Sequence, residues 1–154
     1  MTFSRVSEKY AYEGKLIYHH GEESFCYEPF LGTGFSLMLG CSYLELDISV
    51  NTMEIINVSG LCPKRLWISR TLLLPLNIVP GSVKFYSEEE LVSGTGKYLS
   101  EYMPIYFDES SNWCCISNDP DAIPDQNIEF LKDCIISLSE GEFIALWLRP
   151  EYRR

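Results

Sequence analysis

Two adjacent histidines, His19 and His20, are the only imidazoles in the chain, and they are the first candidates for metal or acid–base chemistry. They close an apolar segment, Lys15 to His19, that predicts a strand. Adjacent residues of a strand point to opposite faces, so the two rings are poorly placed to hold one metal ion. One ring could still act as a ligand or a base, but the pattern favours a strand-end histidine in contact with solvent. We therefore predict no metal site and no cofactor.

The cysteines are the next candidates, because a thiolate is both a nucleophile and a zinc ligand. Zinc sites require cysteine pairs at short, repeated spacings, whereas Cys114 and Cys115 are adjacent and have no second pair. Cys62 is followed by Pro63 and two cations, Lys64 and Arg65, which could stabilise a thiolate. A cysteine enzyme also needs a positioned base, and the sequence does not identify one. Buried, inert thiols are therefore the default expectation.

The remaining catalytic pattern is weak. The stretch Gly94-Thr95-Gly96-Lys97 invites comparison with a phosphate-binding loop. It lacks the four-residue gap between the glycines and the Ser or Thr that follows the lysine in such loops. Turn geometry explains it better, so we expect a binding domain rather than an enzyme.

Carboxylates dominate one part of the chain. Between Tyr98 and Leu131 there are seven acidic residues and no Lys or Arg. A glycosidase-like acid pair would need a pocket that separates the pKa values of its two members, and sequence shows no pockets. The acids fall in predicted turns and loops, where the alternative to a binding role is a solvated face. The acidic side chains are Glu101, Asp108, Glu109, Asp119, Asp121, Asp125 and Glu129.

We interpret this acidic segment as an interaction surface. The whole chain has 22 acidic and 12 basic residues, a formal charge of −10, which repels nucleic acid and anionic membrane and attracts basic proteins. Tyrosines and a tryptophan, which often anchor protein interfaces, are interleaved with the acids. The predicted contact residues are Glu101, Asp108, Glu109, Asp119, Asp121 and Asp125, with Tyr102 and Tyr106.

The elements that position these residues are mostly strands. From Leu44 to Val50 apolar and polar residues alternate, which predicts a strand with one buried face and one solvent-exposed face. A turn-rich segment follows this apolar segment and several later ones. This pattern predicts successive antiparallel hairpins. Helix signals are few: Ser87 to Leu91 begins with a capping box, and Ile128 to Ile136 fits a helix almost as well as a strand. The sequence predicts an α+β domain, predominantly antiparallel β-sheet with few short helices.

The alternating strand that ends at Val50 forms a predicted hairpin with a second strand, Met53 to Ser59. The other predicted strands cover the following segments: Lys15 to His19, Ser24 to Phe30, Phe35 to Leu39, Arg65 to Ser69, Thr71 to Leu74, Val83 to Tyr86, Met103 to Phe107, Trp113 to Ser117, Asp133 to Leu138 and Phe143 to Leu148. The segment between Ser117 and Gln126, with two prolines and three aspartates, is expected to be a long surface loop.

Length and composition indicate how many domains the chain has and where we expect it to be located. A chain of 154 residues fits a single domain, 1–154, with a normal core. The N-terminal segment has no apolar core of a signal peptide, and no apolar run is long enough for a membrane span. We therefore expect a cytoplasmic protein with reduced thiols and no membrane partner.

In overall character the chain resembles the immunity proteins of bacterial contact-dependent growth inhibition systems. It is similar in particular to those paired with zinc-dependent DNase toxins that bind by β-augmentation. The resemblance lies in length, acidity and β-rich pattern, and locally in three apolar phrases: Phe35-Ser36-Leu37-Met38-Leu39, Pro63-Lys64-Arg65-Leu66-Trp67-Ile68 and Ala145-Leu146-Trp147-Leu148. None of these phrases is a functional signature, so no family binding residue transfers to a position of this chain.

The resemblance implies inhibition through a tight complex. An acidic immunity protein would complement the basic DNA-binding surface of the toxin and steer its association. A toxin hairpin would add its strands to a sheet of this chain. The partner would then be a basic nuclease toxin domain, and the predicted acidic and tyrosine side chains would be its binding residues. Two alternatives stay open: an acidic DNA mimic or adaptor that binds another basic protein, and an enzyme with unrecognised carboxylate or cysteine chemistry.

Overall fold

A computed structural model describes residues 1–10, 12–32 and 34–154. Over these residues the chain forms sixteen strands and one short 3-10 helix, Lys64–Leu66. The strands are β1 Thr2–Arg5, β2 Lys15–His19, β3 Ser24–Glu28, β4 Phe35–Met38, β5 Glu45–Ile48, β6 Ile55–Leu61, β7 Ile68–Ser69, β8 Ile78–Pro80, β9 Val83–Tyr86, β10 Gly96–Tyr98, β11 Ile105–Phe107, β12 Cys114–Ser117, β13 Gln126–Leu131, β14 Cys134–Ser139, β15 Glu142–Leu148 and β16 Glu151–Arg153.

Two seven-stranded sheets carry most of the chain. The first sheet has the order β10-β4-β5-β6-β3-β2-β16, and the second has the order β7-β11-β12-β15-β14-β13-β8. The central pairs of both sheets are antiparallel, and each outermost strand joins its neighbour in parallel. A two-stranded ribbon, β1 with β9, bridges the sheets: Phe3 donates its N–H to the Gly141 carbonyl beside β15, and Glu54 before β6 bridges to Lys84.

The sheets face each other across one apolar core. Alternate residues of the first sheet, such as Leu16 and Leu46, meet alternate residues of the second, such as Ile116 and Leu146. Phe85 of the ribbon is fully buried in the same cluster. A period of two on each strand therefore supplies one inward row for the core and leaves an outward row on each sheet.

The predicted β-rich, mostly antiparallel architecture is confirmed, but the α component is not. The capping-box segment Ser87–Leu91 forms no helix; the Ser87 hydroxyl accepts the Glu89 N–H, at 3.2 Å, in a local turn. The ambiguous segment 128–136 is a hairpin, β13 to β14, with a left-handed Asp133 in its turn. Side chains that bond nearby backbone groups compete with helix formation, which explains the failed helix at Ser87.

Two predicted strands in the middle of the chain were also wrong in part. Arg65 to Ser69 begins with the 3-10 turn, so that only Ile68–Ser69 is a strand. Thr71 to Leu74 forms no strand at all. Pro75 follows immediately and lacks the N–H that a ladder requires, so this segment runs outside the sheets. No helix among the described ranges is long and apolar enough to cross a membrane.

Candidate protein-binding groove

Two irregular segments cross the outer face of the second sheet. The strap, residues 70–77, connects β7 and β8, which are the opposite edges of this sheet. Six strand spacings amount to about 29 Å, and the nine residue steps from Ser69 to Ile78 reach about 30 Å when extended, so the strap must cross nearly straight. The acidic loop, residues 118–125, runs from β12 over to β13. The space between the strap and the acidic loop is the groove.

The floor of the groove is built from outward residues of the second sheet. Trp147 lies between Cys115 and Ile135 of the neighbouring strands, and all three belong to a second apolar cluster outside the main core. From the strap, Leu72 packs into this cluster and is 9% exposed. The cluster holds the strap down and gives the groove a rigid apolar base.

A chain of hydrogen bonds fixes the polar part of the floor. The Trp147 Nε1–H donates to the Ser137 hydroxyl at 3.2 Å, and that hydroxyl donates to Asn127 Oδ1 at 2.7 Å. The Asn127 amide nitrogen then donates to the Leu76 carbonyl of the strap at 3.1 Å. These buried polar groups are all paired, so the tryptophan ring and the strap backbone are held in one arrangement.

The walls present apolar side chains to solvent. Leu73 and Leu76 of the strap are 86% and 80% exposed, and Ile123 of the acidic loop is 96% exposed. The groove encloses about 440 Å³, which is within the range of sites that bind small molecules or partner side chains. Large apolar side chains this exposed on both walls of one groove make it the candidate interaction site of the described residues.

Three predicted binding carboxylates surround this groove. Asp119, Asp121 and Asp125 all line it. Asp121 forms an ion pair with Arg70 of the strap, which ties the two walls together. The other two carboxylates shape the loop, since Asp119 accepts the Asp121 N–H at 3.1 Å and Asp125 accepts the Glu140 N–H at 2.9 Å. Their remaining lone pairs face solvent beside the apolar walls.

Asp108 occupies a different place from the one predicted. Its side chain is buried beneath the start of the strap and accepts the Leu72 N–H at 2.9 Å. It also accepts hydrogen bonds from the N–H and the hydroxyl of Ser110, at 3.0 and 2.7 Å. These bonds, that from Leu72 first, lower the pKa of the Asp108 carboxyl. Asp108 therefore anchors the strap and is not available as an exposed steering charge.

The other predicted residues do not line the groove. Tyr106 on β11 is half-buried, with the Arg70 guanidinium 5.6 Å from its ring centroid, so it supports the Arg70–Asp121 pair. Glu101 and Tyr102 are exposed on the loop between β10 and β11, and Glu109 is exposed in the turn between β11 and β12. The sequence therefore predicted one surface, whereas the structure divides its residues among the groove, the buried anchor of the strap and exposed positions in two other connections.

Sequence reasoning missed the apolar walls. The signal was present: Leu73, Leu74 and Leu76 surround a proline that excludes a buried central strand, and Ile123 stands alone among prolines and aspartates. An apolar residue in such a polar loop is unexplained by local turn chemistry. Only the strap's crossing of the sheet, however, reveals that these residues line one groove.

Cys62 does not have the properties of an activated nucleophile. Its thiol is fully buried, and the neighbouring Cys41 thiol and burial both raise its pKa. The Lys64 ammonium that was expected to stabilise a thiolate lies over the Tyr152 ring, 4.6 Å from its centroid. A thiol with a raised pKa is protonated at neutral pH and is a poor nucleophile.

No protein-family model matches the chain, and no curated protein matches it. The resemblance to the immunity proteins of growth inhibition systems therefore stays a prediction.

Proposed function

We propose that this chain is a cytoplasmic immunity protein that binds a basic nuclease toxin domain and neutralises it. The observation that carries the proposal is the groove, where exposed Leu73, Leu76 and Ile123 stand beside the carboxylates of Asp119 and Asp125. An apolar centre surrounded by a polar rim is the usual composition of a specific protein interface.

The two components of the groove would act at different stages of binding. The long-range negative field, from a net charge of −10, would draw a basic partner toward the protein and raise the association rate. The apolar walls and the Trp147 floor would then take an apolar side chain of the partner and slow its dissociation. A basic segment with one large apolar residue is the partner that this site fits best.

β-Augmentation would require a free sheet edge. In the described ranges, the edges of the two large sheets are β10, β16, β7 and β8, each only two or three residues long. Pro80 makes β8 a poor edge for an added strand, because it has no N–H. Its carbonyl already accepts two hydrogen bonds from the Arg5 guanidinium, at 2.7 and 3.0 Å. Short edges limit the length of any added strand.

Among these edges, β10 fits the proposal best. Ser36 donates to the Thr95 carbonyl and Leu99 donates to the Met38 carbonyl, so Gly96 and Tyr98 direct their N–H groups to the open side. The exposed, predicted contacts Glu101 and Tyr102 follow directly in sequence. If a partner strand adds here, hydrogen exchange at the amides of residues 96 and 98 should slow in the complex.

The test is calorimetric titration of the protein with the nuclease domain encoded immediately upstream of its gene, at low and high salt. We expect tight binding that weakens with salt and loss of DNA cleavage at one equivalent of the protein. Asp119→Asn with Asp125→Asn should reduce the association rate, because the charges are lost while an amide oxygen remains to accept each backbone N–H. Leu76→Asp with Ile123→Asp should raise the dissociation rate.

A matched control removes the same charge elsewhere. Glu88→Gln with Glu90→Gln changes two exposed carboxylates outside the groove. If this pair slows association as much as the groove pair, the charge effect belongs to the whole molecule and not to the groove. Absence of binding to the adjacent nuclease would contradict the immunity role, and recovery of a different basic protein from a lysate would favour the adaptor alternative.

A further inference from the structure

A second group of functional side chains lies on the outward face of the first sheet. His19 on β2 and Cys26 and Glu28 on β3 bring one nitrogen, one sulfur and one oxygen atom within 4.8 Å of one another. Cys26 pairs directly with Ile17, so His19 is its diagonal neighbour across the ladder, and Glu28 is two residues further along the same strand. All three therefore point to the same side of the sheet.

The distances match those of metal coordination. His19 Nε2 lies 3.5 Å from Cys26 Sγ. A tetrahedral zinc ion with ordinary bonds to sulfur and nitrogen, about 2.3 and 2.05 Å, holds these two atoms about 3.6 Å apart. The strand register and the two side-chain conformations together place these ligand atoms at the required separation. The Glu28 carboxylate is on a flexible, 45% exposed side chain that can complete the third position.

We propose that His19, Cys26 and Glu28 form a binding site for a divalent zinc ion, with the fourth position open to water. Imidazole, thiolate and carboxylate together are a ligand set that suits zinc and excludes magnesium and calcium, which require oxygen ligands. Binding releases the Cys26 thiol proton to solvent, and the thiolate and the Glu28 carboxylate then balance the two charges of the ion.

The Arg153 guanidinium on β16 would compete with a metal ion for the Glu28 carboxylate. Its Nη1 lies 3.5 Å from Glu28 Oε1, and its Nη2 donates to Glu151 at 2.9 Å. The Glu28 contact is long, and both side chains are partly exposed, so the pair is weak. A bound metal would replace the guanidinium at Glu28, while Arg153 keeps Glu151 as a partner. Removing the guanidinium should therefore strengthen metal binding.

The neighbouring His20 provides a matched control. It belongs to the same dipeptide, but its ring packs against Tyr18 and Tyr152, with centroids 5.5 and 5.8 Å away. A specific site must distinguish the two histidines, whereas nonspecific binding to exposed imidazoles would not.

The experiment is titration of the reduced protein with Co²⁺, a spectroscopic substitute for zinc, followed by competition with Zn²⁺. We expect a thiolate-to-cobalt charge-transfer band and intense tetrahedral ligand-field bands, at one equivalent, that Zn²⁺ abolishes. Cys26→Ser should remove the charge-transfer band, and His19→Ala should weaken affinity by more than the about 10–100-fold that loss of an outer-sphere partner causes. Glu28→Gln should weaken it, and Arg153→Gln should tighten it.

The same set of variants provides the controls and the results that would contradict the zinc site. His20→Ala must leave the spectrum and affinity unchanged, and thermal melts in the absence of metal establish that each variant is folded. Octahedral cobalt spectra, no charge-transfer band, or equal losses in His19→Ala and His20→Ala would overturn the proposal. The groove lies on the other sheet, so Leu76→Asp with Ile123→Asp should leave metal binding intact, and the two proposals fail independently.

Discussion

Two buried aspartates of this chain have pKa values shifted in opposite directions although their chemistry is the same. Asp108 accepts three hydrogen bonds from the strap and its own turn, which lower the pKa of its carboxyl. Asp47 is buried on the outward face of β5, and burial raises the pKa of its carboxyl despite donors from Asn57, Ser59 and Ser36. Both side chains have three donors, but two of those at Asp108 are backbone N–H groups, whereas desolvation dominates at Asp47; packing decides both properties.

The raised pKa of Asp47 has a consequence for stability. Because its folded pKa exceeds the unfolded value near 3.8, the folded state binds the proton more tightly, and this contribution to stability grows as pH falls from 7 toward 4. Asp47→Asn removes the ionisable group and keeps an acceptor for the Asn57 amide. The free energy of unfolding of the variant, relative to that of the wild type, should therefore be most favourable at pH 7. This difference should shrink by pH 4.

Urea unfolding of the wild type and Asp47→Asn at a series of pH values measures this difference. Near-ultraviolet circular dichroism establishes that the variant keeps its native packing. A difference between the two unfolding free energies that stays constant with pH would show that Asp47 does not titrate in this way.

At the scale of elements, the strap is the decisive feature. Its leucines read in sequence as a strand, because a short apolar run between turn signals is typical of a buried strand. Pro75 and the hydrogen bond from Leu72 N–H to Asp108 commit it to an extended crossing instead. The strap thereby packs Leu72 into the second apolar cluster and leaves Leu73 and Leu76 largely exposed.

Leucines of the strap should therefore separate stability from binding. Leu72→Ala removes the strap's contact with the second apolar cluster, and we expect it to lower the free energy of unfolding by about 2–3 kcal/mol and to speed proteolysis within residues 70–77. Leu73→Ala is the matched control: that side chain is 86% exposed, so unfolding should change by less than about 0.5 kcal/mol.

Urea denaturation and limited proteolysis measure both effects. Equal destabilisation by the two substitutions would contradict the assignment of Leu72 as the buried anchor. A loss of partner affinity in Leu73→Ala without a loss of stability would support the groove as the binding site.

At the scale of the whole molecule, charge is the dominant property. Ten excess negative charges repel one another in the folded state more than in the expanded unfolded chain. The Debye length shortens from about 30 Å at 0.01 M to about 8 Å at 0.15 M ionic strength. Added sodium chloride should therefore raise the free energy of unfolding over this range.

Thermal and urea unfolding at the two ionic strengths measure this effect. Sodium chloride is preferable to a sulfate salt, because sulfate stabilises proteins by exclusion from their surface and would obscure the charge effect. A fall in stability with salt would indicate instead that ion pairs such as Arg70–Asp121 and Arg149–Asp133 outweigh the net repulsion.

The sequence by itself determined the β-rich architecture, because a period of two along segments such as Glu45–Ile48 is a local property that survives any arrangement of the sheets. It also determined the negative charge and the acidic loop. Only the tertiary structure decided which apolar residues stay exposed and that Asp108 is buried. It also decided that the histidine beside Cys26 is His19 and not His20. These outcomes depend on strand register and on the strap's path between the opposite edges of a sheet, and both are set by contacts between residues distant in sequence.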